Sequence, residues 1–170
     1  MHPIRELGAN HVRSLAECHI DCWRESYRGM VPDHVLAAFD VDKRAEQWER
    51  IRRSGTAKTF VALDHGVVIG FSSSGPTRDP GAPVDRELYA LYLRGSFHGS
   101  GIATALLDAA IGPDPVALWV FDDNPRAEAF YRKSGFDADG ARRLEPFSGV
   151  MEVRMIRRQA LGTAPDRVRE

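Results

Sequence analysis

Helical and strand periods alternate along this chain. From Val12 to Tyr27 apolar residues recur on one helical side: Val12, Leu15, Ala16, His19, Trp23 and Tyr27. Asn10 is placed to cap that helix and Gly29 to end it. Pro3 to Leu7, before it, reads as an edge strand, and Pro32 opens a short second helix through Phe39. Asp42 is placed to cap a third, with Ala45, Trp48 and Ile51 inward and Arg44, Glu46, Glu49, Arg50 and Arg53 facing water. The period then shortens. Lys58 to Leu63 and Val67 to Ser72 read as strands joined by the turn Asp64-His65-Gly66. Gly75 to Asp85, which holds three prolines, reads as a surface loop long enough to be a functional rim. Glu87 to Leu93 is the pattern of a buried strand. A glycine-containing loop follows, and then a helix with Ala103, Leu106, Leu107, Ala110 and Ile111 on one face, stopped at Gly112-Pro113.

Val116 to Phe121 predicts another strand. Asn124 is an N-cap and Pro125 a first helical residue; Ala127, Phe130, Tyr131 and Ser134 share one side, and Gly135 ends the helix. Ala138 to Arg143 and Val150 to Ile156 look like closing antiparallel strands. Gln159 to Glu170 is polar and without period, the pattern of a frayed tail. No repeat or linker divides the rest, so a single domain over residues 1–158 is expected.

Composition narrows the function classes. A net charge of −1 over 170 residues gives no bulk field favouring nucleic acid or an anionic membrane. No apolar run reaches membrane length and no signal-peptide core opens the chain, so a cytoplasmic location is the default. Cys18 and Cys22 sit four residues apart near His11 and His19, but a second ligand pair is lacking. Reduced core or half-buried thiols and no metal are the expectation, and His19 reads as a helix-face histidine rather than a ligand.

The chemistry concentrates in Phe97 to Ile111, FHGSGIATALLDAAI. A helix start has backbone N–H groups without partners and the positive end of the helix dipole, so it suits a phosphate. Glycine at 99 and 101 would let the backbone approach such a ligand. No Lys follows Gly101 as a Walker loop needs, and Thr104 stands where a dinucleotide loop has its third glycine. On this stretch alone, an anion site and a plain turn before a core helix stand level.

A second stretch, LWVFDDNPRAEAFYRKSGF from Leu118 to Phe136, tips the balance. Together the two resemble the GCN5-related N-acetyltransferase (GNAT) family. That family carries Gln/Arg-x-x-Gly-x-Gly/Ala in its pyrophosphate loop, where this chain has His98-Gly99-Ser100-Gly101-Ile102-Ala103. Its later strand–Asn–Ala–Phe-Tyr–Gly-Phe pattern is matched by Asn124, Ala127, Phe130-Tyr131 and Gly135-Phe136. The resemblance implies an α/β (α+β) fold: a mixed, mostly antiparallel, twisted sheet of six to seven strands, helices on both faces, and two central parallel strands splayed apart. It implies acetyl-CoA as cosubstrate, with no metal. The pantetheine arm would lie in the splay against the backbone of Leu91, Tyr92 and Leu93, and Asn124 and Ala127 would lie beside it.

In that reading an N-acetyltransferase moves the acetyl group to a primary amine, of a small molecule first, by direct attack. Tyr131 is the family-matched proton donor to the leaving thiolate, and a backbone N–H near Leu93 could stabilise the oxyanion. Glu87 is the candidate base, acting through water, against the alternative of a solvated strand-end carboxylate. Trp23, Tyr27 and Phe147, with His34 a further option, could line the acceptor site; the same aromatic residues would suit a helix–helix core. His98 departs from the family's Gln or Arg. Its imidazole lies either beside the pyrophosphate or in solvent, with the backbone N–H serving in either case. A protein or peptide N-acetyltransferase and a non-catalytic acyl-CoA sensor remain alternatives, and a homodimer is an open option.

Overall fold

The computed structural model of the chain describes residues 2–158; the expected tail, residues 159–170, lies outside the described residues. In chain order the elements are β1 (Ile4–Glu6), α1 (Val12–Tyr27), α2 (Asp33–Ala37), α3 (Val41–Ser54), β2 (Lys58–Asp64), β3 (Val67–Pro76), β4 (Arg86–Leu93), α4 (Ile102–Ile111), β5 (Val116–Phe121), α5 (Pro125–Lys133), β6 (Asp137–Leu144) and β7 (Met151–Arg157). The strands form one seven-stranded sheet in the order β1-β2-β3-β4-β5-β7-β6. Every pairing is antiparallel except β4 with β5, which is parallel.

Both faces of the sheet are covered, which follows from the two-residue alternation of β2. Val61 and Leu63 face α1 and α3, in a core with Leu15, Cys22, Trp48 and Phe71. Ala62, between them, faces the opposite way and packs with Ile69, Leu93, Ile102 and Leu106 of the α4 side. Strand β3 is buried on both faces, and its serines Ser72, Ser73 and Ser74 are buried as well. Ser72 Oγ donates to the Leu106 carbonyl at 2.8 Å and Ser74 Oγ to the Ala110 carbonyl at 2.6 Å, while Ser73 Oγ bonds Thr59 Oγ1 at 2.9 Å. Each buried hydroxyl thus has a partner, and two of these bonds anchor α4 on the sheet, at about 1 kcal/mol each.

Local signals account for most element boundaries. Asn124 caps α5 by accepting from Ala127 N at 3.2 Å, with Pro125 in the first turn. Two expected caps fall elsewhere. Asn10 lies in a turn of 3-10 helix, Ala9–His11, and makes no cap bond; α1 starts after His11. Asp40 rather than Asp42 caps α3, accepting from Lys43 N at 2.9 Å, which leaves Asp42 to pair with Arg13. Two acids spaced two apart, Asp40 and Asp42, made that position ambiguous from sequence. Arg44, expected in water, is half-buried.

Cys18 and Cys22 are both buried, with sulfurs 3.9 Å apart as free thiols. His19 accepts from Trp48 Nε1 at 3.1 Å, and its ring packs against Phe71 and Tyr92. No helix among the described residues is long and apolar enough to cross a membrane.

Candidate active site

The site is built where the sheet opens. Strands β4 and β5 pair only at Glu87↔Ala117 and Leu88↔Leu118, although β4 runs on to Leu93 and β5 to Phe121. The β4 register slips between its β3 partners Ser73 and Ser74, leaving Tyr89 as an extra residue. Such a bulge bends a strand and re-aims it. Past Leu88 the two strands part, and the freed edge of β4 carries unpaired backbone groups.

A cavity of about 670 Å³ passes through this gap. On the α4–α5 side it is lined by Leu91, Leu93, Gly99, Gly101, Ala103, Asn124, Ala127, Phe130 and Tyr131. On the α1 side it is lined by Trp23, Tyr27, Tyr89, Trp119, Phe121, Arg143 and Glu152. One continuous space therefore joins the two faces of the sheet.

The glycine loop forms one mouth. Gly99 and Gly101 have φ of 79° and 84°, the left-handed region, and a Cβ at either would meet open space. Glycine permits this left-handed backbone and leaves the loop without side-chain bulk. The N–H groups of Gly99, Gly101, Ala103 and Thr104 have no acceptor among the described residues. His98 N and Ser100 N are occupied, donating to Gly95 O at 3.2 Å and to Phe97 O at 3.3 Å. The expectation that the His98 N–H serves an anion is therefore corrected; the free donors are further along. The His98 ring is exposed and lines this mouth of the cavity, with Nε2 donating back to the Leu93 carbonyl at 2.9 Å. Ile102 is buried and begins the helix, while Ser100 Oγ folds onto Phe97 O at 2.6 Å. The loop is tied to α1 through Arg94, which pairs with Asp21 at 2.7 Å and Glu25 at 2.8 Å.

Tyr131 is buried in the α5 wall of the cavity. Burial, with Tyr27 adding to it, pushes its phenol above the ordinary tyrosine range. The phenol therefore stays protonated, able to donate. Tyr27 and Tyr92 meet hydroxyl to hydroxyl at 2.9 Å on the α1 side, and burial pushes Tyr27 up to about 12.

Of the expected acceptor residues, Trp23 and Tyr27 line the cavity; Phe147 and His34 do not. Phe147 is 58% exposed and stacks outside, on Phe39 and Trp23 at 6.0 and 6.5 Å. The structure does not bring Glu87 to the cavity. It is buried beneath the Thr77–Asp85 loop, with Oε1 bound by Arg78 Nη2 at 2.6 Å and Oε2 by Arg78 N at 2.8 Å. Neither a solvated carboxylate nor an available base describes it; with both oxygens held, it positions the loop.

Glu152, in the middle of the cavity wall, was not singled out from sequence. The signal was there: Glu152 and Arg154 interrupt an apolar strand, MEVRMIR. Such charges at alternate positions of a buried strand share one face. Arg154 joins the rim elements, pairing with Asp79 and Asp139 at 2.7 Å each.

Comparison with known proteins agrees with this geometry. The model of the acetyltransferase (GNAT) family matches residues 15–136. An uncharacterised N-acetyltransferase of Bacillus subtilis, YuaI, is 31% identical over 132 residues, covering 74% of this chain and 75% of that one. A probable N-acetyltransferase of Mycobacterium tuberculosis is 30% identical over 142 residues, 80% of each chain. In fold, the chain resembles the PaiA N-acetyltransferase of Thermoplasma acidophilum, solved in complex with coenzyme A. That match has a TM-score of 0.69 at 18% identity and covers 94% of this chain and 99% of the other. The YncA structure from Salmonella typhimurium, a putative acetyltransferase by its description, contains acetyl-CoA and matches with a TM-score of 0.68 at 18% identity over 98% and 99% of the chains. The family match over most of the chain, with the two relatives beside it, means that this protein belongs to the GNAT acetyltransferase family and is an acyltransferase.

Proposed function

We propose that this protein transfers the acetyl group of acetyl-CoA to a primary amine of a small molecule by direct attack. The observation that carries the reading is the single cavity through the splay, with a phosphate-type loop at one mouth and aromatic and carboxylate side chains on the other face. The residues present suit coenzyme A. The free N–H groups of Gly99, Gly101, Ala103 and Thr104, with the α4 dipole behind them, suit a pyrophosphate. The open edge of β4 from Leu91 to Leu93 suits an extended amide chain, as in strand addition. The cosubstrate supplies an activated thioester carbonyl.

The chain's own residues do the rest. The backbone N–H at Leu93, on the open edge of β4, would stabilise charge on that carbonyl oxygen. Tyr131 holds a proton that it can give to the departing sulfur. The Asn124 side chain is committed to the α5 cap, so its contribution there is structural. The small-molecule preference rests on the cover over the acceptor face: α1–α2 on one side and, on the other, a loop that Arg154 and Glu87 pin down. A protein substrate would need an open groove. That solved PaiA and YncA proteins carry coenzyme A or acetyl-CoA supports the cosubstrate.

The test is calorimetric titration with acetyl-CoA and CoA, followed by a panel of primary amines assayed by thiol release. Binding without added metal and turnover of at least one small amine are expected. No binding at millimolar cosubstrate would defeat the reading. Binding without turnover would favour an acyl-CoA sensor, and turnover of peptides alone a protein acetyltransferase.

A further inference from the structure

The unassigned role in this site is that of the group that takes a proton from the acceptor. We infer that Glu152 is the catalytic carboxylate of the acceptor face: its free oxygen receives the ammonium of a primary amine carried on an apolar body and accepts its proton. This rests on the acetyltransferase reading of the same cavity.

Position comes first. Glu152 lies on β7 opposite Phe121, the last residue of β5, so it stands at the open end of the splay. It lines the cavity although its side chain is only 10% exposed. Arg143 Nε holds Oε2 at 2.7 Å, while Oε1 has no partner among the described residues. A buried carboxylate with one oxygen fixed and the other open to a cavity is oriented without being saturated, which Glu87, gripped twice by Arg78, is not. The cavity wall that Glu152 shares also carries Trp23, Tyr27 and Phe121, and Trp119 with Arg143 stacked on it at 4.2 Å. Ring faces and a carboxylate together suit a cation on an apolar body.

The electrostatics agree. Burial raises the Glu152 carboxyl above the usual range, against the pull of Arg143, with Glu145 and Glu87 adding to the rise. These groups, together with Tyr27 from α1, are the titratable neighbours that face it. Glu152, Tyr27 and Tyr131 all line the same cavity, so the carboxylate and the proton donor share one space. A carboxylate whose pKa is raised is a stronger base than a free one.

The step balances. The ammonium N–H breaks and an O–H forms on Glu152, leaving a neutral amine. The nitrogen lone pair forms the C–N bond as the C–S bond breaks and its electrons leave on sulfur. Tyr131 protonates the sulfur and recovers a proton from the acylated nitrogen. Glu152 returns its own proton to water through the cavity mouth.

The decisive comparison is between Glu152→Gln, Glu152→Asp and Glu87→Gln, assayed with the fastest amine of the panel. Gln keeps an oxygen for Arg143, so the fold and CoA affinity should hold, as checked by thermal unfolding and calorimetry. Turnover should fall by about 10²–10⁴-fold in Glu152→Gln. Wild-type activity should rise with pH through the carboxyl titration. That limb should vanish in Glu152→Gln and persist, at lower rate, in Glu152→Asp. Wild-type turnover with the limb intact in Glu152→Gln, or its loss in Glu87→Gln instead, overturns the assignment. CoA binding with no amine turned over also overturns it, while the cosubstrate reading stands; absent CoA binding defeats that reading itself.

Discussion

At the scale of single residues, burial decides which titratable groups can act. Tyr131 is kept protonated by its surroundings, and in the proposed mechanism its hydroxyl is a donor used mainly in the transition state. Tyr131→Phe should lower kcat by about 10²–10⁴-fold with little change in CoA affinity, read by steady-state kinetics beside calorimetry. His19 illustrates burial without catalysis. Its ring sits in an aromatic core, and burial, aided by the nearby Arg44 charge, lowers its pKa to about 3. The unfolded chain then binds a proton that the folded one refuses, so stability is lost as pH falls below about 6.5, progressively toward 3. In His19→Gln, where the amide oxygen can still accept from Trp48, the melting temperature should fall less steeply between those limits; parallel slopes would remove His19 from the acid response. That a histidine in this helix pattern faces inward was legible from its spacing. That Glu87 is locked by Arg78 was not, because the partner lies in a loop whose path no periodicity predicts.

At the scale of elements, the strand–loop–helix from β4 to α4 carries the most specific commitment. The left-handed Gly101 backbone and the open space beside it are what a β-branched residue would disturb. Gly101→Val should cost about 1–2 kcal/mol in backbone strain and abolish most CoA affinity while the fold survives. Normal CoA binding by that variant would place the phosphate site elsewhere. The loop glycines and the Asn124–Pro125 start were legible because each uses a residue type suited to one backbone geometry. The starts of α1 and α3 were less so, since Asn10, Asp40 and Asp42 are all competent caps and packing picks among them.

At the scale of the whole molecule, a few long-range pairs hold the acceptor face together. Arg154, nine-tenths buried, joins the Thr77–Asp85 loop to β6 through Asp79 and Asp139. Arg154→Ala would leave two carboxylates facing each other without their cation, at a cost of about 3 kcal/mol. The loop should then be cut faster by trypsin at Arg78, and KM for the amine should rise more than KM for acetyl-CoA; unchanged proteolysis would show that the loop is held by other means. What the sequence by itself determined is local. The helix and strand periods, the glycine loop and the Asn–Phe-Tyr segment each depend on neighbours within a turn or a strand pair, so they were sufficient for the fold class and the family likeness. The α1 side of the cavity, in contrast, is made by long-range contacts. There Trp23, Trp119, Arg143 and Glu152 come from α1, β5, β6 and β7 and meet only because β4 and β5 part. The structure also moved Phe147 outside and turned His98 back onto the strand edge. The physical reason is that a strand's charged face has no meaning until its neighbours and the cavity beside it are fixed, and those are contacts between residues far apart in the chain.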